Sequence, residues 1–259
     1  AMEKVKSKFM RSVVSVCTGD KYPNSYVETL YNMVSRHTED FTFYCITDKK
    51  RGLKSPIQEV VVEKKFHTWW NKVHMFNKDM PFKGTVLYLD LDVVIFRNIN
   101  KLWTFMPDDF CIIQDFNRCR IPNYSVKNSS VMKFPHGKHH DMYEKFCKEE
   151  SDIMRKYRGD QDYVTRERQK AVLWPREWIM SYKWEIGLEP GEKRRFSSDK
   201  FVKNKYRTEE RTKIKNGRSI KKTYFVKDGL PDECSIAVFH GKPDPGDIQK
   251  DPLIINHWR

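Results

Sequence analysis

"VLYLDLDVVI" spans Val86 to Ile95, and its reading sets the terms for the rest of the chain. The run Thr85-Val-Leu-Tyr-Leu89 is β-branched, aromatic and aliphatic, as expected of a strand covered on both faces. Asp90 and Asp92 then sit at i and i+2, and at a strand end two such acids can converge on one point. Desolvating a carboxylate is costly unless a cation or good donors meet it. Two hard oxygen ligands that close suit Mg²⁺ or Mn²⁺, with phosphate oxygens filling the remaining positions. Taken alone, the same residues equally fit a strand ending in a polar turn.

Outward from this stretch, strand and helix patterns alternate. Ser12 to Cys17 reads as a buried strand closed by Thr18-Gly19-Asp20, and Val27 to Ser35 has helical spacing. Phe41 to Ile46 is a second strand stopping at Thr47-Asp48, and Ile57 to Val62 a third. Thr68 to Asn77 reads as a helix with Thr68 as N-cap and Trp69, Val73 and Phe76 on one side. Phe110 to Ile113 is another strand with Asp115 just beyond it, and Val131-Met132 begins a short one. His139 to Lys156 is an amphipathic helix whose apolar side carries Met142, Phe146 and Ile153. This alternation predicts an α/β fold with a mostly parallel central sheet flanked by helices. In such sheets ligands bind off the carboxyl ends of the strands, where Asp20, Asp48, Asp90, Asp92 and Asp115 all fall.

The 259 residues suit one large domain over 1–259, and 39% hydrophobic with 14% aromatic residues is ample for a core. No apolar run is long enough to span a bilayer, and the first residues lack an apolar signal-peptide core, so a cytoplasmic location is expected, with peripheral membrane contact open. Six cysteines without a CxxC pair read as free thiols. The formal charge of +14 is uneven: residues 191–228 hold 14 Lys/Arg against 5 Asp/Glu, a net of +9. There is no GxGxxG after the first strand, no phosphate-binding GxxxxGK[ST], no catalytic-triad ordering and no zinc spacing. What remains is carboxylates plus a divalent metal.

Six stretches, taken in order, resemble the GT-A-type nucleotide-sugar glycosyltransferases, most closely glycosyltransferase family 8, the class of glycogenin and bacterial lipopolysaccharide galactosyl- and glucosyltransferases. Val13 to Asp20 resembles the first strand and its nucleotide-binding loop. Trp69-Trp-Asn-Lys72 falls where that family keeps a basic residue against the donor, and Asp90-Leu-Asp92 resembles its DxD motif. Asn128-Ser-Ser-Val131 resembles an Asn-small-Gly-Val turn, with Ser130 in the glycine's place, and Gly159-Asp-Gln-Asp162 resembles an Asp-Gln-Asp element. Val238-Phe-His-Gly-Lys-Pro243 resembles a shortened form of the family's His-x-x-Gly-x-x-Lys-Pro tail.

The resemblance implies transfer of a hexose from a nucleoside diphosphate sugar, UDP-Glc or UDP-Gal, to an acceptor hydroxyl with retention of configuration. Asp90, Asp92 and His240 would hold Mn²⁺, with Mg²⁺ as the alternative. Thr18, Gly19, Asp20 and Asp48 would face the nucleoside. Lys72, Asp90, Asn128, Gly241 and Lys242 would serve the rest of the donor, and Asp115, Asp160 and Gln161 the transferred sugar, with Gln161 near its anomeric carbon. The aromatics from Trp174 to Trp184 fit either an acceptor-sugar platform or core packing.

Two other classes stay open. A metal-dependent nuclease or nucleotidyltransferase shares the carboxylates but would need a further acid near the pair, and the sequence supplies none locally. A non-enzymatic nucleic-acid-binding protein would need more aromatics within the basic segment. Within that segment, Thr212 to Lys215, Asn216-Gly217 and Arg218 to Lys221 carry the strongest short-range hairpin signal. A basic β-hairpin insertion is therefore expected, facing solvent or an anionic glycan or lipid-linked acceptor.

Overall fold

A computed structural model describes residues 10–119, 121, 123–186, 207–215, 218–226, 232–248 and 251–259. Its centre is a seven-stranded sheet. Strands β1 (Arg11–Cys17), β2 (Thr42–Thr47), β3 (Gln58–Val61) and β4 (Thr85–Leu89) are joined by β6 (Cys111–Gln114), β7 (Lys127–Pro135) and β8 (Val172–Leu173) in the order β3-β2-β1-β4-β7-β6-β8. All pairings are parallel except the two made by β7, which runs antiparallel to β4 and to β6. Reversing direction twice leaves β6 parallel to β4, so β1, β2, β4 and β6 all end at the same edge.

Strand alternation builds a core on each face of this sheet. Val13, Phe43, Leu87 and Leu89 pack on one side with Val27, Leu30, Met33 and Val34 of α1 (Asn24–His37). Val14, Tyr44, Val86 and Tyr88 pack on the other with Met142, Phe146 and Ile153 of α3 (His140–Lys156), and with Tyr163 and Val164 of α4 (Asp160–Glu167). Helix α2 (Asn100–Thr104) intervenes in sequence between β4 and β6 and buries Leu102 and Trp103. Each fully buried Val, Leu or Phe is worth about 1.5–3 kcal/mol, so the doubly covered strands account for much of the fold's driving force.

A second sheet of three short strands shares the first of these cores. Strand β5 (Val93–Ile95) lies just after Asp92, and β12 (Ile236–Val238) pairs antiparallel with it and parallel with β9 (Ile179–Ser181). Strands β10 (Arg207–Lys215) and β11 (Arg218–Val226) form the expected antiparallel ribbon, closing at Lys215 opposite Arg218; Asn216-Gly217 lies outside the described residues, as does all of 191–206.

Two local expectations are corrected. Thr68 to Phe76 is a 3₁₀ helix, not an α-helix capped by Thr68: His67 holds the cap position, and Thr68 itself has φ +47°. The strand expected to begin at Val131 is the nine-residue β7, starting at Lys127. Its polar start, Lys127-Asn-Ser-Ser130, is buried, so neither alternation nor composition marks it as strand. All six cysteines are free, and Trp174 is core, donating from Nε1 to the Val131 carbonyl at 3.1 Å.

Candidate active site

The common carboxyl edge gathers the acids that the sequence placed there. Asp90 follows β4, and its backbone N–H donates to the Ser130 carbonyl, 2.9 Å away. This bond exists because β7 enters the sheet antiparallel, starting at the edge where its neighbours end. A register break follows, in which two residue steps on β6 face five on β7. The bulge holds Asn128, Ser129 and Ser130 at the edge, and the Asn128 carboxamide accepts from Ser130 N–H at 3.0 Å. Asn128 therefore stabilises the bulge itself.

Lys72 sits at the centre. Its Nζ lies 2.8 Å from Asp90 Oδ1, 3.4 Å from Ser129 Oγ and 3.7 Å from Asp160 Oδ2. Ser129 Oγ donates to Asp160 Oδ2 at 2.7 Å, and Tyr88 OH donates to Asp90 Oδ1 at 2.6 Å. Burial alone would lower the Lys72 pKa, but Asp160 and Asp90 override it and hold the ammonium charged well above its usual range. Gln161 Nε2 donates to Asp115 Oδ2 at 3.2 Å, so these two candidates meet between the end of β6 and the start of α4. Thr18 is held by Asn71, the neighbour of Lys72 in sequence, whose Nδ2 donates to Thr18 Oγ1 at 3.3 Å.

Asp92 stands apart from that network. Burial and the neighbouring Asp90 push its carboxyl up to about 6, with Lys72 and Lys21 partly offsetting them. No side-chain hydrogen bond reaches it among the described residues, and it is only 7% exposed. A desolvated carboxylate beside a second one, without a donor of its own, suits a bound cation.

The second sheet delivers the C-terminal loop to the same place. Phe239 N–H donates to the Asp92 carbonyl at 3.1 Å, and His240 and Gly241 both turn through positive φ, +33° and +89°. Lys183 Nζ holds this turn by donating to the carbonyls of His240, Gly241 and Lys242. Burial lowers the Lys183 pKa to about 8. Burial, then Lys183, lowers that of His240 to about 4, leaving a neutral imidazole. Its Nε2 lies 2.6 Å from Ser181 Oγ, and the ring stacks on Phe116 at 5.0 Å. With Asp90 engaged by Lys72 and His240 by Ser181, no three metal-ligating side chains form a cluster among the described residues.

Other expected residues are less central. Gly19 N–H donates to Asp48 Oδ2 at 3.2 Å, and Arg51 braces the same turn through the Gly19 carbonyl. Asp20 is exposed and pairs with Lys49 at 2.8 Å. Lys242 is also exposed, and its Nζ lies 2.9 Å from both Asp244 and Asp247. Besides Lys183, Ser181 and Asn71, three further contributors were not singled out from sequence. Asp244, 3% exposed, adds a third negative charge felt by Asp92. Tyr22 OH donates to Asp244 Oδ1 at 3.3 Å, and burial, then Asp92 and Asp244, raises its phenol well above the usual range. Tyr88 carried a signal: two residues before Asp90, it shares that residue's strand face.

With this geometry in view, comparison with solved structures is decisive for the fold. The chain superposes on the galactosyltransferase LgtC, in complex with donor and acceptor sugar analogues, with a TM-score of 0.56, 13% identity, and 95% of this chain and 96% of that one covered. The fold is that of the GT-A glycosyltransferases. An active-site mutant of LgtC aligns with a TM-score of 0.56, 12% identity, and 93% and 90% coverage. The glycosyltransferase GlyE of Streptococcus pneumoniae TIGR4 aligns with a TM-score of 0.54 and 13% identity over 68% of this chain, which spans about half (48%) of the GlyE chain. No family model matches the sequence, and no curated protein does.

Proposed function

We propose that this GT-A chain transfers a hexose from a UDP-sugar, UDP-Glc or UDP-Gal, to an acceptor hydroxyl, with retention and with a divalent cation, Mn²⁺ before Mg²⁺. The observation that carries the reading is Asp92: a buried carboxylate beside Asp90, without a donor, at the carboxyl edge of a GT-A sheet. Asp90 and Asp92 would hold the cation with His240, whose neutral imidazole is the ligating form. When bound, the cation would neutralise charge developing on the leaving diphosphate.

The chain's own residues supply the rest. The Lys72 ammonium is kept charged by Asp90 and Asp160 and stands ready for a donor phosphate. The turn at Thr18-Gly19, braced by Asp48 and Arg51, offers backbone groups to the nucleoside. Asp115 and Gln161, already hydrogen-bonded to each other, present a carboxylate and an amide to sugar hydroxyls, with Asp160 beside them. Lys183 fixes the turn of His240 and Gly241, from which the Gly241 N–H would meet phosphate oxygens of the donor. Lys242 would serve the diphosphate only by leaving Asp244 and Asp247.

The test is a thermal-shift panel of UDP, GDP and single-stranded oligonucleotides, each with and without Mn²⁺. Stabilisation by a nucleoside diphosphate only when metal is present is the expected result, through binding linkage. Stabilisation by oligonucleotides alone would overturn the reading in favour of nucleic-acid chemistry. Calorimetry on His240→Ala should show Mn²⁺ and UDP affinity falling together. Unchanged UDP affinity in Mn²⁺ would remove His240 from the cation's shell.

A further inference from the structure

The register of the basic ribbon sorts its charges by face. Six basic residues, Arg207, Arg211, Lys213, Lys215, Arg218 and Lys222, share one face with a single acid, Glu209. The opposite face carries one of each, Lys221 and Glu210. The sequence shows only that the segment is basic; the pairing of Lys215 with Arg218 and Arg211 with Lys222 makes it one-sided. From Arg211 to Lys222 the first face has five cations and no acid.

Neighbouring positions on one face lie roughly 5 Å apart across the strands and roughly 7 Å along them. Both distances are shorter than the Debye length of about 8 Å at physiological salt, so the repulsion is not screened away. A ribbon that keeps this arrangement calls for a flat, multiply charged anionic partner. One feature favours lipid over nucleic acid. No aromatic residue occurs between 211 and 222, so bases would find no stacking platform there.

We propose that the cationic face of β10 and β11 docks the chain onto an anionic lipid bilayer. Each Lys or Arg near such a surface contributes roughly five-fold in affinity. The inference does not depend on the reaction proposed above.

The experiment is cosedimentation of the full chain with vesicles of phosphatidylcholine alone, or of phosphatidylcholine with about 30% phosphatidylglycerol. Binding to the anionic vesicles only, weakening with salt, is expected. A relocated variant, Thr212→Lys with Lys213→Thr and Arg218→Ser with Ser219→Arg, keeps the net charge while moving two cations to the other face. It should lose affinity on the order of ten-fold or more. Equal affinity in wild type and relocated variant would overturn the one-sided surface. So would failure of the wild type to pellet with anionic vesicles. A single-stranded RNA that binds more tightly than the vesicles and competes them off would reassign the surface to nucleic acid. Should the relocated variant melt below wild type, Lys215→Ser with Lys222→Ser replaces it, with the same loss expected.

Discussion

Lys72 and Asp90, 18 positions apart in sequence, close an ion pair of 2.8 Å at the carboxyl edge of the sheet, with both side chains largely out of solvent. Asp160 shares the same ammonium at 3.7 Å. One cation therefore compensates two buried carboxylates, and the arrangement is sensitive to its loss. Lys72→Met should destabilise the protein by about 3 kcal/mol at pH 7, as expected when one member of a buried pair is removed. Urea unfolding measures it. A loss below about 1 kcal/mol would mean that the pair behaves as a screened surface contact.

Asp92 should show the opposite sign. Its folded pKa, about 6, lies above the value of 3.8 expected unfolded. The stability it contributes is present below pH 3.8 and is lost as pH rises through 6. Ionised Asp92 is thus a cost at neutral pH without metal. Asp92→Asn should raise the apo protein's stability at pH 7 by on the order of 2 kcal/mol, while abolishing metal-dependent turnover. Turnover above about a tenth of wild type in saturating Mn²⁺, a loss of barely 1.4 kcal/mol in barrier, would take Asp92 out of the cation's shell.

His139 gives the clearest pH dependence away from the site. Arg168 Nε donates to its Nδ1 at 2.9 Å, which fixes the neutral tautomer, and its Nε2 is buried without a partner. Burial, then Arg168, lowers its pKa from 6.5 to about 4. The folded state therefore binds fewer protons than the unfolded one between these values. Stability should be intact above pH 6.5 and fall towards pH 4, by up to about 1.4 kcal/mol per pH unit from this residue. His139→Gln, whose amide oxygen still accepts from Arg168, should flatten that slope in unfolding titrations between pH 7 and 5. An unchanged slope assigns the acid sensitivity elsewhere.

Arg118 and Glu185 form a bidentate pair, 2.9 Å at both contacts, that ties the turn after Asp115 to the loop after β9. Both side chains are almost wholly buried, at 2% and 1% exposure. Burial would raise the Glu185 carboxyl, but hydrogen bonds from Arg118 hold it below its usual range. Arg118→Met alone should cost about 3 kcal/mol, leaving Glu185 only Arg176 Nε at 3.0 Å as a charged partner, and Arg118→Met with Glu185→Leu less, because the second change removes the undercompensated buried charge. A double variant as unstable as the sum of the two single ones would contradict this coupling.

The sequence by itself determined the strands and their ends. Near-continuous apolar runs in Ser12 to Cys17 and Thr85 to Leu89 encode strands buried on both faces, and the acids that follow mark the edge where chemistry collects. The ribbon was legible too, because Asn216-Gly217 between alternating residues is a local signal. These features depend on neighbours in sequence, where propensity and desolvation act directly. Tertiary structure decided which distant segments meet. Asn128 to Ser130 reach Asp90 only because β7 runs antiparallel, a direction set by packing across the whole sheet. The second sheet, which has no strand longer than three residues, brings the Phe239 backbone and the Asp244 carboxylate to Asp92. Side-chain partners were decided there as well: Lys72 turns inward to two acids, whereas Lys242 turns outward to Asp244 and Asp247. A lysine's charge is written in the sequence, but its partner is the carboxylate that the fold places within reach.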